Sequence, residues 1–93
     1  MKAAALTRQV MIPNRLGLHA RASAQFVQMA SKFRSEITVE VGSQKVNAKS
    51  IMGLLMLAAA QGSVITLRAV GEDAGAALDA LADLVARRFG ERE

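Results

Sequence analysis

The run Glu36-Ile37-Thr38-Val39-Glu40-Val41-Gly42-Ser43-Gln44-Lys45-Val46-Asn47-Ala48 decides the fold. Ile37, Val39 and Val41 alternate with polar residues, the period-two pattern of a strand with one buried face. Gly42-Ser43 reads as a hairpin turn. Gln44 to Ala48 reads as the returning strand, the weaker of the two because Val46 and Ala48 are its only apolar members. A central hairpin predicts an antiparallel sheet, and the flanking sequence must supply what covers its apolar face.

Upstream, Leu6 to Ile12 is apolar-rich and predicts a strand that stops at Pro13-Asn14, with Gly17 as a further break. A helix is expected from Ala20 to Lys32, with Phe26, Val27, Ala30 and Phe33 on one face. Downstream, Ser50 stands as an N-cap before Ile51-Met52-Gly53-Leu54-Leu55-Met56-Leu57. Leu54, Leu57 and Ala58 are expected in the core. A short helix cannot bury every side, so Ile51, Met52, Leu55 and Met56 should leave an exposed apolar patch suited to partners. Gly62-Ser63 ends that segment, and Val64 to Val70 reads as a strand closed by Gly71. Glu72 and Asp73 open a last helix with acidic charge at its positive end. Its expected stripe is Ala74, Ala77, Leu78, Leu81, Ala82, Val85 and Phe89, with Asp83 and Arg87 paired on the wet face and Gly90 as C-terminal cap. The order βαββαβα predicts one α+β domain over residues 1–93, with helices on one face of an antiparallel sheet.

Composition narrows the function. The 93 residues are 52% apolar, enough for one small core. The absence of cysteine excludes disulfides, thiol catalysis and Cys-based metal sites, and a single histidine excludes His clusters. The longest strongly apolar run, Ile51 to Ala60, is half the ~20 residues that a membrane span needs. The first eight residues, Met1 to Arg8, hold only a short apolar stretch and do not read as a signal peptide. A cytoplasmic protein without membrane insertion is expected, with no cofactor and no metal. Residues 1–71 hold nine Lys or Arg against two acids, and residues 72–93 hold three against six. The basic excess before residue 72 favours an acidic partner surface or a phosphorylated ligand.

Gly17-Leu18-His19-Ala20-Arg21 sets the only histidine where a loop becomes a helix. Free backbone N–H groups and the helix dipole stabilise an anion there, and Arg21 can bring a guanidinium to it. A neutral ring has a lone pair that can attack phosphorus. A bland reading, in which His19 only caps the helix, leaves Arg21 and the small residues Gly17 and Ala20 without a purpose. Ser50 is the second candidate: capping alone explains it, and a phosphate there would add charge beside the apolar run and block docking.

Together, Asn14-Arg15-Leu16-Gly17-Leu18-His19-Ala20-Arg21 and Val46-Asn47-Ala48-Lys49-Ser50-Ile51-Met52-Gly53-Leu54-Leu55-Met56 resemble the histidine-containing phosphocarrier protein (HPr) family of the bacterial phosphoenolpyruvate-dependent sugar phosphotransferase system. The resemblance runs from about Leu6 to Phe89. It implies an open-faced β-sandwich of four antiparallel strands with three helices on one side. It implies that His19 accepts a phosphoryl group on Nδ1 from enzyme I and passes it to enzyme IIA proteins or domains, with Arg21 helping to hold the phosphate. Ser50 matches the serine modified by the HPr kinase/phosphorylase, and Arg15, Lys49, Ile51, Met52 and Leu55 match partner-docking positions. Such a protein is a carrier, a monomer meeting partners in turn, and its partners supply the catalysis. One departure is Ala22, where the family usually has proline. Alanine suits a first helical turn, so little loss is expected.

Three other readings are open. The paralogue of the nitrogen-related phosphotransferase branch shares the His19 motif, although Lys49-Ser50-Ile51-Met52 favours the HPr type. An RNA-binding module would share the initial β-α-β-β-α-β order and the net charge of +4, yet it needs aromatic residues on its central strands, and Phe26, Phe33 and Phe89 are expected on helix core faces. A purely structural interaction domain would use the apolar patch alone.

Overall fold

The computed structural model describes residues 4–93. The first three residues of the expected domain, and of the short apolar stretch at Met1 to Arg8, lie outside the described part. The elements are β1 (Leu6–Met11), α1 (Ala20–Ala30), β2 (Glu36–Val41), β3 (Gln44–Asn47), α2 (Ile51–Leu57), β4 (Val64–Val70) and α3 (Ala74–Ala86), followed by a 3₁₀ turn at Arg88–Gly90. The strands form one sheet in the order β1-β4-β2-β3, and every neighbouring pair is antiparallel.

The hairpin is as the sequence expects. Val41 faces Gln44 across the two-residue turn, and Gly42 takes a φ of +57°, the left-handed conformation that glycine adopts without penalty. Ile37 and Val39 of β2 and Ile65, Leu67 and Ala69 of β4 point to one face and are buried. The three helices close that face. Phe26 of α1, Leu54 of α2 and Leu81 and Val85 of α3 meet the strand residues in a single cluster. The opposite face is open, with Thr7, Gln9, Thr38, Glu40, Thr66 and Arg68 set across the strands.

Local details depart from the periodicity. Helix α1 stops at Ala30, so Phe33 packs against the core from the following turn. Ala58 is exposed: it ends α2 in a left-handed conformation, and Ala59 is buried in its place. In α3, Leu84 is buried where Ala82 is only partly so. Helix α3 ends at Ala86, and Arg88 and Phe89 themselves turn left-handed before Gly90. Phe89 therefore reaches the core from outside the helix.

Glu72 and Asp73 precede α3 without entering its first turn. The Asp73 carboxylate makes no capping bond and faces the start of β2. It accepts the N–H of Arg34 at 2.9 Å, the N–H of Ser35 at 3.0 Å and the Ser35 hydroxyl. The Ser35 hydroxyl and then the Arg34 N–H hold this carboxyl below the usual carboxylate range, against the opposing effect of burial. A carboxylate with a depressed pKa stabilises the fold above its unfolded pKa, and that contribution disappears as pH falls through the folded value. Asp73→Ala is therefore expected to melt below the parent chain at pH 7, with the gap closing below about pH 4. Thermal midpoints of both proteins across pH check this, and a gap that persists in acid would refute it.

Candidate functional site

The site is built on the loop between β1 and α1. Ile12 is buried and its chain is locked on both sides, its N–H to the Ser63 carbonyl at 2.8 Å and its carbonyl to the Gly62 N–H at 2.8 Å. Asn14 is fully buried and its Nδ2 donates to the Gly17 carbonyl at 2.9 Å, closing the loop on itself. Leu18 N–H then donates to the Ala59 carbonyl at 2.9 Å, just past the end of α2. Gly17 has a φ of +65°, and a Cβ there would be driven into the same Ala59 carbonyl. The loop can lie this close to α2 only with glycine at that position.

The result is that His19 arrives as the N-cap of α1, in extended backbone conformation. The first main-chain bond of the helix runs from Ser23 N–H to the His19 carbonyl at 2.8 Å. The N–H groups of Ala20, Arg21 and Ala22 are thus the orphan donors of the helix start. Arg21 N–H donates to His19 Nδ1 at 3.2 Å. Ala22 is fully buried, so at the position where the family usually has proline the methyl group packs inward. The other ring nitrogen, Nε2, meets the carboxylate of Glu91, whose second oxygen accepts the Asn14 amide at 3.0 Å. The His19 side chain is 24% exposed and that of Glu91 8%. Burial pushes the Glu91 carboxyl up, but the Asn14 amide, the His19 ring and the Arg21 charge together hold it below the usual range.

On the far side of Glu91 and Arg21, which contact His19, the residues Arg15, Leu16, Arg21, Glu91, Arg92 and Glu93 line an open hollow of about 310 Å³, where Arg15 pairs with Glu93 at 2.8 Å. A second hollow of about 320 Å³ joins His19 to Leu16, Leu18 and Leu55. The structure thus brings together His19, Arg21, Arg15 and Leu55. Ile51, Met52 and Met56 continue the apolar surface on α2 and are exposed by 43%, 69% and 73%. Lys49 belongs to a different groove, beside Arg34, Thr38 and Asn47, and its Nζ donates to the Phe33 carbonyl at 2.8 Å. Ser50 caps α2, its Oγ accepting the Gly53 N–H at 3.0 Å.

Glu91 was invisible to sequence reasoning, because it lies beyond the periodic part of α3. No aromatic residue lies on the open sheet face: Phe26 and Phe89 are buried and Phe33 packs against the core. Among the described residues no three His, Asp or Glu side chains gather as a metal set, and no helix is long and apolar enough to cross a membrane.

Residues 6–87 match the family model for the PTS HPr component phosphorylation site. The chain belongs to the HPr family. It is 53% identical to the phosphocarrier protein HPr of Neisseria meningitidis serogroup A over 95% of this chain and 99% of the relative. It is 51% identical to the phosphocarrier protein NPr of Shewanella violacea over 92% of this chain and 94% of the relative. The crystal structure of HPr-C-His from Thermoanaerobacter tengcongensis superposes with a TM-score of 0.91 at 50% identity, covering 95% of this chain and 99% of that one. The HPr fold is thus the one drawn above, a four-stranded antiparallel sheet with three helices, and HPr proteins are phosphocarriers.

Gly17→Ala is expected to cost about 2 kcal/mol or more, the left-handed strain plus the clash with Ala59. Gly42→Ala, with nothing within 4 Å of its added Cβ, should cost about 1 kcal/mol from backbone strain alone. Urea midpoints compare the two, and amide shifts at Leu18 and His19 should move only in the first.

Proposed function

We propose that this chain carries a phosphoryl group on His19, as a single carrier unit that supplies the acceptor while its partners supply the catalysis. The observation that supports this most directly is the placing of Nδ1 at the start of α1, where it faces the Arg21 N–H with the Arg21 side chain exposed beside it. The orphan N–H groups, the helix dipole and the guanidinium all favour the charge of an attached phosphate. In the transfer, the Nδ1 lone pair forms the N–P bond while the bond to the donor breaks and its electron pair leaves with the donor. Delivery to an acceptor is the reverse.

The donor under this reading is enzyme I charged by phosphoenolpyruvate, and the acceptors are enzyme IIA proteins or domains, met one at a time by a cytoplasmic monomer. The exposed Ile51, Met52 and Leu55, continuous with the His19 hollow, suit the apolar part of a docking face, and Arg15 suits its basic rim. Arg15 would exchange Glu93 for a partner carboxylate. Lys49 contributes less, since its ammonium is turned to the Phe33 carbonyl. Phosphoenolpyruvate with enzyme I should yield an acid-labile, base-stable phosphoprotein, and His19→Ala should abolish it. Label that survives the substitution would exclude this assignment.

Ser50 is the regulatory part of the proposal. A phosphate on its Oγ would replace the bond to Gly53 N–H and set charge against Ile51 and Met52, opposing apolar docking. Incubation with ATP and an HPr kinase should label Ser50 and slow phosphoryl uptake at His19. A nitrogen-branch, regulatory carrier is the second reading: the 51% identity to an NPr stands close to the 53% identity to an HPr. Absence of label at Ser50 would support it.

A further inference from the structure

We infer that Glu91 is a positioning residue for His19: its carboxylate holds the Nε2–H, so the Nδ1 lone pair is presented at the start of α1 and the ring takes and releases a phosphoryl group without moving a proton. The inference rests on the carrier reading above and assigns the part played by the segment after α3.

The two ring nitrogens have different partners. Nδ1 accepts from Arg21 N–H, so the ring proton belongs on Nε2, which faces the carboxylate. The carboxylate is not a loosely placed surface group. It is 8% exposed, and its other oxygen is fixed by Nδ2 of Asn14, a fully buried residue. The backbone delivers it there by three devices. Arg88 and Phe89 turn the chain with φ values of +57° and +54°, Phe89 anchors the turn in the core, and Arg15 N–H donates to the Glu93 carbonyl at 2.7 Å. An oriented carboxylate behind an imidazole selects the tautomer and stabilises the cation that forms when the far nitrogen reacts.

The balance of the step follows. The Nδ1 pair leaves the Arg21 N–H and forms the N–P bond, the bond from phosphorus to the donor breaks, and its electrons stay with the donor. The ring, still bearing its Nε2 proton, becomes a cation opposite the Glu91 carboxylate. On delivery the N–P electrons return to Nδ1 and the neutral ring is restored with the same proton in place. Charge is redistributed across a hydrogen bond that already exists, and neither direction waits for solvent.

The test compares the parent chain with Glu91→Ala and Glu91→Gln, using ring ¹H–¹⁵N NMR of the unphosphorylated proteins and the rate of phosphoryl uptake from enzyme I. The parent should show a slowly exchanging Nε2–H. Glu91→Ala should lose that signal to water exchange and take up phosphoryl roughly tenfold more slowly, as when the outer partner of a working histidine is removed. Glu91→Gln retains an amide oxygen as acceptor and should keep the signal, yet transfer as slowly as the alanine variant, because the charge is gone. Both variants should melt somewhat below the parent, because a carboxylate held below its usual range stabilises the fold, so rates and spectra are compared well below all three midpoints, where every chain is folded. Persistence of the Nε2–H signal in Glu91→Ala, or a parental transfer rate in both variants, would overturn the inference. Should the parent itself take up no phosphoryl group, the carrier reading fails, while the ring spectrum still decides whether Glu91 holds Nε2.

Discussion

The seating of the β1–α1 loop against the end of α2 is the constraint on which the rest depends. One backbone hydrogen bond, from Leu18 to Ala59, fixes where α1 begins. It exists because Gly17 removes the side chain that would collide with the same carbonyl and because Asn14, buried and bonded to Gly17, shapes the turn. Everything chemical follows from that seat. It sets His19 as the N-cap, turns the Arg21 N–H onto the ring, and puts the ring at the edge of the α2 apolar surface. A loop set an ångström away would leave the same residues in the sequence and disperse the site.

Most of the scaffold was legible because its residues report their surroundings by period. The alternation in Glu36 to Val41 gave the sheet and its buried face, and Val64 to Val70 was bounded by glycines on either side. The Ser50 cap and the exposed half of α2 followed from an apolar run too wide for one helical face. At the ends of α2 and α3 the reading slipped on left-handed residues. Ala58, Arg88 and Phe89 take positive φ without being glycine, so nothing in their side chains marks the turn. Ala58 was therefore expected in the core and Gly90 as the first residue past α3.

The candidate site was legible in one half. His19 and Arg21 are local to each other, and a loop-to-helix boundary announces itself. Glu91 and Asn14 meet only through tertiary packing, and no spacing rule relates them. Asp73 illustrates the same limit: as an acid before a helix it read as a dipole partner, whereas its carboxylate serves Arg34 and Ser35 on another element. Polar side chains that bridge distant segments are chosen by geometry, which a linear pattern does not encode.

The strand order has a consequence for how the chain comes together during synthesis. The β2–β3 hairpin is local and can close as soon as both strands have left the ribosome, but β1 must wait for β4, the strand it pairs with. Ala59 and Glu91, which seat the loop and meet the imidazole, are translated still later than the histidine they serve. A nascent chain therefore displays a bare histidine on an unformed loop until the segment that carries Glu91 has left the ribosome, and the site matures only then.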